Sequence, residues 1–458
     1  MAFRDRDSGS YAAGARLSRR GLIRGGLGVA AGAGLAGGLS ACGSALSAGI
    51  AGTQLAPGTV MYWNLFGGGD GVRMVAMQDA YTRSPGASPL QAATFAWGNP
   101  YYTKLTLATV GGAPPDVAIS HLTRMQNLAT ANLLTEFTDD MLSMVGLSPS
   151  DFNQTPWEAQ KLNGKSYAIP LDTHPFVLYY NVDVCQKAGL LDGDGNLKPI
   201  EGKAGWEAAL KAAKDVTKAY GASVSTVGDT ATSWRWFTTL YSQRNGNTPF
   251  LGDGGRKLTY NRELTLDTLA YIQQLTKSGL MPANTDYAGA QTLMFTGKAG
   301  FYLEGEWEIT TAQAVKGLKF GMAPVPTIFD KPAAQADSHT FVLPRMDRTE
   351  DQLKRAMGFI KFLLTQSMTW AMGGHIPAYL PIKNSEAYQK LLPQANYAKA
   401  AEFAVYDPPA WYSGSGSNFE NITGAQIGLV QQGLATPQAA LDSIRSQLEI
   451  YARTESPL

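Results

Sequence analysis

Cysteine is nearly absent from this sequence. Only Cys42 and Cys185 occur among 458 residues, and Cys42 lies in a segment that predicts a modification of its thiol, as described below. Cys185 is then left without a partner, so no intramolecular disulfide is expected. The fold must therefore be stabilised by apolar burial. The chain that follows Ala41 is long enough for two lobes with separate cores.

Histidine is also scarce, and metal-binding patterns are missing. The four histidines lie far apart along the chain, without the spacing that metal ligands show; they are His121, His174, His339 and His375. The sequence has no His-Glu-x-x-His and no paired-cysteine motif. It therefore predicts no metal site and no bound cofactor.

Motifs of hydrolytic enzymes are missing too. The sequence has no Gly-x-Ser-x-Gly, and its glycine-rich loop after Phe66 lacks the Gly-Lys-Ser/Thr of a nucleotide site. Glu304 and Glu306 would share a face if both lay on one strand. A glycosidase pair must stand roughly 5 Å or more apart across a bound sugar, and two acids of one short segment seldom do. We expect no enzyme, and a glycan-active extracellular enzyme is the remote alternative.

Charged residues are sparse, at 16% of the chain. Six of the 38 basic and two of the 37 acidic residues precede Cys42, so the remainder carries a formal charge of −3. A nucleic-acid-binding protein would show clustered Lys and Arg with an excess of positive charge. We therefore expect no nucleic-acid partner.

The N-terminal segment predicts export and lipid anchoring. Residues 18–24 (SRRGLIR) resemble a twin-arginine signal, and the apolar stretch 25–38 is too short and too glycine-rich to span a membrane well. Leu39-Ser40-Ala41-Cys42 matches the bacterial lipobox, in which the cysteine is lipidated. We expect a signal peptide at 1–41, lipidation of Cys42, a tether at 42–57, and anchoring to the outer face of the bacterial cell membrane.

The rest of the chain alternates between strand and helix patterns. Thr59–Trp63 is a predicted strand, a helix is expected from about 71 to 83, and residues 114–119 form a strand that begins with two prolines. Polar residues follow both strands, at the edge where open α/β sheets bind ligands. The pattern predicts an α/β fold with a ligand site at this edge.

Three local patterns give further expectations. Asn163-Gly164 indicates a hairpin-like turn, and Val224–Thr226 suits a strand. Thr436 is expected to cap the last helix, with Pro437 as its first residue.

The stretch from Pro170 to Asn181 organises the sequence. Prolines disfavour helix at Ile169 and His174, and Val177–Tyr180 is a predicted buried strand. The polar residues before this strand are held by a backbone that the prolines make rigid. Such residues suit a hinge beside a ligand site. A plain loop that enters a core strand explains the same residues equally well.

This stretch also resembles the motif of family 1 extracellular solute-binding proteins. Pro170-Leu171, Asp172, the apolar run before Tyr180-Asn181, and Lys187 fit that motif. The resemblance continues in three further segments, which are 164–170 (Gly-x-x-Tyr-x-x-Pro), 297–307 and 374–377. Cys185 stands where the family has a larger apolar residue.

The resemblance implies a two-lobed, type II periplasmic-binding-protein-like fold with a multi-strand hinge. Lobe 1 would comprise 58–172 and 328–374, and lobe 2 would comprise 173–327 and 375–458. It also implies a monomer that binds a sugar, in particular an oligosaccharide, between the lobes. The bound sugar would be delivered to the transmembrane permease of an ABC importer. A glycerophosphodiester or a polyamine would suit the same architecture.

Sugars need aromatic rings for their apolar faces and paired polar groups for their hydroxyls. The loops that such a fold brings together supply both kinds of residue. In the resembled family the tryptophan at the position of Trp307 stacks on the sugar. Trp234 and Trp236 suit either the cleft floor or a core. The predicted ligand-binding residues are Asn64, Phe66, Asp70, His121, Arg124, Asp172, His174, Trp234, Trp236, Glu304, Glu306, Trp307, His375 and Trp411.

Overall fold

The computed structural model describes residues 55–456. The predicted signal peptide and Cys42 lie outside the described residues. Strands and helices alternate within the described part, as the sequence predicts. No helix between residues 55 and 456 is long and apolar enough to cross a membrane.

The first half of the chain contains β1 (Val60–Asn64), α1 (Gly68–Thr82), β2 (Leu90–Thr94), α2 (Asn99–Val110), β3 (Val117–His121), α3 (Leu122–Thr130), α4 (Asp139–Ser143), α5 (Gln154–Ala159), β4 (Lys161–Leu162), β5 (Lys165–Ser166), β6 (Ile169–Pro170), β7 (Asp172–Asn181), α6 (Val182–Lys187), α7 (Gly202–Thr217) and β8 (Tyr220–Ser223).

The second half contains α8 (Thr230–Ser242), β9 (Leu251–Gly252), β10 (Lys257–Leu258), α9 (Arg262–Lys277), α10 (Tyr287–Phe295), β11 (Ala299–Gly305), α11 (Ile309–Ala314), β12 (Phe320–Pro324), β13 (Ala334–Asp337), β14 (His339–Val342), α12 (Glu350–Thr365), α13 (Ser367–Ala371), β15 (Ile376–Pro377), α14 (Leu380–Lys383), α15 (Glu386–Gln389), α16 (Gln394–Tyr397), β16 (Ala404–Val405), α17 (Asn418–Gln431) and α18 (Pro437–Arg453). Short 3₁₀ turns lie at Pro149–Asp151, Asp253–Gly255, Glu306–Glu308 and Ala398–Glu402.

Two large sheets carry the fold, and each has its own apolar core. The first sheet has five strands in the order β2-β1-β3-β14-β6, with β1 parallel to both β2 and β3. The second has seven strands in the order β16-β13-β7-β11-β8, with β12 and β15 also paired to β7. Separate clusters of buried side chains lie against the two sheets. The fold is α/β, as expected.

Strand β7 is ten residues long, and every one of them is buried. The sequence predicted only Val177–Tyr180, but the strand begins five residues earlier, at Asp172. It extends because each part has its own partner: β15 pairs with its first two residues, β13 with His174 and Pro175, and β11 with the rest up to Tyr180. Tertiary pairing therefore keeps the polar stretch extended.

The chain passes between the two sheets at three places near the start of β7. In the first passage, Leu171 alone separates β6 of the first sheet from β7 of the second. In the second, Ser338 alone separates β13 of the second sheet from β14 of the first. The third runs from α13, which packs against α1, to β15 on β7. We call these segments the three passages.

Some local expectations shift by a few residues. The helix expected at 71–83 begins at Gly68, so two glycines of the predicted loop belong to its first turn. A strand was expected at Val224–Thr226, whereas β8 ends at Ser223. Thr226 leaves the ladder because its backbone and hydroxyl bond to Thr285 instead.

Other expectations are confirmed. Asn163 and Gly164 both have positive φ and join β4 to β5, as an Asn-Gly hairpin requires. Thr436 caps the last helix by accepting a hydrogen bond from the Ala439 N–H, and Pro437 is its first residue.

Helix α17 packs against the start of α8 so closely that only glycine fits at position 424. A Cβ there would lie 1.8 Å from the backbone oxygen of Thr230.

We predict that Gly424→Ala lowers the free energy of unfolding by about 1–3 kcal/mol, the usual cost of overpacking. The control is Gly358→Ala in α12, where no atom lies within 4 Å of the added carbon. Because alanine favours helix over glycine, this control should gain about 0.5–1 kcal/mol. Urea titration of both variants measures the difference, and equal midpoints would contradict the prediction.

Candidate functional site

A cavity of about 1000 Å³, including its open mouth, lies where the loops after the first sheet's strands face the second sheet. Its wall includes five of the residues that the sequence selected: Phe66, Asp70, His121, His174 and Trp307. Other lining residues were not predicted, and they include Trp97, Asp229, Arg235, Tyr287, Gln335, Asp337, His339, Ser415 and Glu420. The cavity is therefore both aromatic and polar.

The floor of the cavity is organised by the buried carboxylate of Asp172. Its Oδ1 accepts hydrogen bonds from the backbone N–H of His339 (2.8 Å) and from Nδ1 of His174 (3.0 Å). Its Oδ2 accepts from Nδ1 of His339 (2.7 Å) and from Nε1 of Trp370 (2.6 Å). A carboxylate only accepts, so both imidazoles carry their proton on Nδ1. Nε2 of the neutral His174 imidazole is left as an acceptor.

These contacts decide the protonation of the floor. Burial works against a charged Asp172, but His339 and His174 outweigh it and hold the pKa of this acid well below its usual range. Burial, together with His339, lowers the pKa of His174 to about 3. The floor at neutral pH is thus an ionised acid beneath a neutral imidazole.

The four histidines, which are far apart in the sequence, come together here. The ring centroids of His174 and His339 are 4.2 Å apart, and His121 and His375 lie 4.8 Å and 5.4 Å from His339. Sequence spacing could not show this cluster, because three of its members lie in different strands of the two sheets and His375 lies in the loop before β15. Asp172 and three of these histidines could hold a metal ion.

Behind the floor, His375 joins two further acids. Its Nε2 lies 3.0 Å from Oδ1 of Asp70, and its Nδ1 lies 3.0 Å from Oε1 of Glu306. Burial opposes a charged imidazole, but Asp70 and Glu306 outweigh it and raise the pKa of His375. Burial raises the pKa of Glu306 to about 7.

Trp307 and Arg235 form part of the cavity wall. Trp307 is partly exposed, and the Arg235 guanidinium lies 5.0 Å from the centroid of its ring. The indole N–H donates to the hydroxyl of Tyr287 (3.0 Å). A Cβ on Gly305 would lie 2.0 Å from the ring, so only glycine allows this ring position. The ring is thus held in place at the cavity wall, where it is partly exposed.

Arg235 lies between two buried acids. Its guanidinium lies 3.8 Å from Glu304 and 3.7 Å from Glu420. Glu304 also accepts hydrogen bonds from the Thr232 hydroxyl (2.6 Å) and the Gly305 N–H (3.0 Å). Burial raises the pKa of Glu304 to about 8 and that of Glu420 to about 7.

Glu304 and Glu306 do not share a face, contrary to what a single strand would give. Glu304 lies in β11, whereas Glu306 begins the following 3₁₀ turn. One contacts Thr232 and Arg235, and the other contacts His375. Both acids are completely buried, so neither presents a carboxylate to the cavity.

The remaining predicted residues lie outside the cavity wall. Asn64 is buried beneath it and accepts hydrogen bonds from the backbone N–H of Phe66 and the hydroxyl of Thr94. Arg124 lies over the ring of Tyr102, 4.3 Å from its centroid, and donates to a backbone oxygen near the mouth.

Three predicted tryptophans also lie elsewhere. Trp236 is fully buried in the second core, and Trp234 donates to Asp407 beside a different cavity. Trp411 lies in another depression, near Tyr451. Trp234 and Trp236 suited either the cleft floor or a core, and the structure places both of them in the second core.

Comparisons with known proteins agree with this geometry. A family described as "Bacterial extracellular solute-binding protein" matches residues 93–369. The arabinooligosaccharide-binding protein of Bacillus subtilis is 26% identical over 177 residues, which are 38% of this chain. That match spans only 37% of the relative's length.

Two solved structures share the fold. The GacH receptor of Streptomyces glaucescens, solved unliganded and with acarbose, has a TM-score of 0.70 at 17% identity and covers 88% of this chain and 100% of its own. The sugar-binding protein MalE of Xanthomonas citri has a TM-score of 0.71 at 16% identity, with 86% and 97% covered. The likeness shows the two-lobed, periplasmic-binding-protein-like fold that the sequence predicted.

The raised pKa of Glu304 predicts how stability changes with pH. Its pKa in the folded protein, about 8, lies above the ordinary value of 4.5. The folded chain therefore binds more protons than the unfolded chain between these values, and this acid destabilises the fold increasingly as pH rises through the window. The slope is about 1.4 kcal/mol per pH unit where the proton difference is complete. We expect the melting temperature to fall from pH 6.5 to 8.5, and to fall less in Glu304→Gln. Equal slopes for the two proteins would contradict this prediction.

Proposed function

The chain belongs to the bacterial extracellular solute-binding protein family, and we propose that it captures a sugar, in particular an oligosaccharide, in the cavity beneath Trp307. The loaded protein would deliver this sugar to the transmembrane permease of an ABC transporter. It would act as a monomer outside the cytoplasm, without enzymatic activity. The arabinooligosaccharide-binding relative and the acarbose complex of GacH support a carbohydrate ligand.

The observation that carries this proposal is the wall formed by Trp307 and Arg235. A partly exposed ring held by Tyr287 offers a flat apolar surface, which suits the apolar face of a pyranose. The neutral His174 imidazole, whose ring centroid lies 6.0 Å from that of Trp307, presents an Nε2 acceptor for a hydroxyl. An aromatic ring beside hydrogen-bonding groups is what a sugar needs.

The charges of the wall argue against a glycerophosphodiester. Such a ligand needs an available cation, but Arg235 is the only Lys or Arg on the described wall and it already faces Glu304 and Glu420. A polyamine needs available carboxylates, and four acids line the wall: Asp70, Asp229, Asp337 and Glu420. Asp70 faces His375, Asp337 accepts from the Thr123 N–H, and Glu420 accepts from the Gly416 N–H. Oδ2 of Asp229 has no hydrogen-bond partner among the described residues, so a polyamine is the alternative that the binding experiment must separate from a sugar.

We also propose the lobe division expected from the sequence, 58–172 with 328–374 and 173–327 with 375–458, with one adjustment. Strand β13 pairs with β7 and β16 in the second sheet. The return to the first lobe is better placed at Ser338 than at residue 328. The three passages would then be the hinge about which the lobes close.

Replacing Trp307 tests the sugar proposal. Trp307→Ala should abolish measurable affinity for the sugar that binds the wild type best, while lowering the melting temperature little, because the ring is partly solvated. Trp307→Phe keeps a stacking face, loses only the bond to Tyr287, and should retain most of the affinity. Calorimetry against a panel of oligosaccharides, glycerophosphodiesters and polyamines identifies the ligand. Wild-type affinity in Trp307→Ala, or selective binding of a charged solute, would refute the proposal.

We propose, further, that Cys42 is lipidated and anchors the protein to the outer face of the cell membrane. Several acyl chains hold a protein firmly, whereas a single chain holds it only marginally. Cys42→Ser should therefore release the protein from the membrane fraction with its sugar affinity intact. Cys185→Ala is the control, because Cys185 is buried and should not affect anchoring. Labelled palmitate should enter the wild type and this control alone. Membrane association of Cys42→Ser would contradict the proposal.

A further inference from the structure

Four side chains converge beneath the cavity floor, and they are an acid and three imidazoles. They are Asp172, His174, His339 and His375. Each offers one ligand atom, and these atoms all lie within 4.8 Å of one another. All four side chains are buried. The sequence predicted no metal site because three separate segments supply these residues.

The distances suit an ion with four ligands. Oδ2 of Asp172 lies 2.7 Å from Nδ1 of His339 and 3.4 Å from Nδ1 of His375. Oδ1 of Asp172 lies 3.0 Å from Nδ1 of His174. Neighbouring ligand atoms in a tetrahedral site with bonds of about 2.0 Å stand roughly 3.3 Å apart. Small side-chain rotations would therefore place these atoms around one ion.

His375 has the orientation of a metal ligand. Its Nε2 faces Asp70, which accepts a hydrogen bond at 3.0 Å, so its Nδ1 points towards Asp172 and Glu306. Metal-binding histidines commonly donate their second N–H to a carboxylate in this way. Nδ1 of His375 and both carboxylate oxygens of Glu306 are buried without a well-formed hydrogen bond. Buried polar atoms of this kind need a partner.

The local charge also favours a cation. Asp172 and Glu306 are completely buried, and Asp70 lies beside them. Among residues 55–456, every ion pair of these three acids is to a histidine, and none is to Lys or Arg. Buried acids without a positive partner are costly. A divalent ion would supply the positive charge that the chain itself lacks here.

We propose that Asp172, His174, His339 and His375 bind one Zn²⁺ or a chemically similar first-row divalent ion. Three imidazole nitrogens and one carboxylate oxygen suit Zn²⁺, whereas Mg²⁺ and Ca²⁺ prefer oxygen alone. The ligands belong to the three passages, so the ion would fasten together the segments that join the two sheets. The test of this site needs no sugar, but the site shares His174 and His339 with the cavity wall. With a metal ion on Nδ1, Nε2 of His174 would carry the proton and would donate to a sugar hydroxyl instead of accepting from it.

A proton is the competing occupant of this position. An imidazolium at His375 would also face Asp70 and Glu306, and it would need no metal. Direct measurement of bound metal separates the two. The protein should be exported and purified without an affinity tag, stripped with a chelator, and dialysed against Zn²⁺ alone.

We expect one Zn²⁺ per chain by elemental analysis, and a higher melting temperature with Zn²⁺ than without. Co²⁺ in place of Zn²⁺ should give the intense visible absorption of a four-coordinate site. His174→Gln and His339→Gln should each weaken Zn²⁺ binding by at least about 10–100-fold, the loss that even outer-shell changes cause. His121→Gln is the matched control, because its Nδ1 is bonded to Tyr102 and it lies outside the ligand set. It should keep the wild-type affinity for Zn²⁺.

The result with the wild type alone is already decisive, even if a variant fails to fold. A stripped wild type that takes up no Zn²⁺, and whose melting temperature Zn²⁺ leaves unchanged, would assign the position to a proton and overturn the proposal. Folded His174→Gln and His339→Gln that bind Zn²⁺ as the wild type does would also overturn it, since the metal would then lie elsewhere. Circular dichroism of the stripped variants establishes that they fold.

Discussion

A single buried carboxylate holds together the place where the two sheets meet. Asp172 begins β7 and accepts four hydrogen bonds, two from His339 and one each from His174 and Trp370. These donors come from β7 itself, from β14 and from α13. Hydrogen bonds to a charged acceptor are the stronger kind, and losing one partner of a buried network is costly. The geometry of the passages therefore depends on this one ionised acid.

Much of the fold could be predicted because its signals are local. The Asn163-Gly164 turn and the Thr436-Pro437 helix start depend on backbone preferences that neighbouring residues fix, and both occur as expected. The predicted strand was too short at its N-terminal end, because the first residues of β7 are polar and lack the apolar pattern that predicts a buried strand. Their extended backbone is imposed by β13 and β15, which lie more than 150 residues away in the chain. Distant pairing of this kind leaves no local signal.

The candidate site was harder to predict, for two physical reasons. Successive residues of a helix are rotated by about 100° around its axis. Trp234 and Trp236 therefore point in different directions. Arg235, which lies between them, reaches the cavity. A helical-wheel projection of residues 230–242 could have identified Arg235 as a cavity-facing residue. The histidine cluster has no such signal, because His174 and His339 meet only after two sheets have formed. The resemblance, by contrast, did place Trp307 at the cavity wall.

The same residues serve the passages and the cavity, and this links ligand contact to lobe geometry. His174 lies two residues into β7 and His339 begins β14, so each is within three residues of a passage. Both also line the cavity, together with Trp307 and Arg235. His174 stays with the wall formed by Trp307 and Arg235, because β7 pairs with β11. A backbone rotation at Leu171 or Ser338 would therefore move His339 relative to that wall. A ligand that touches both sides would favour one rotation, because it stabilises only the geometry in which both contacts exist.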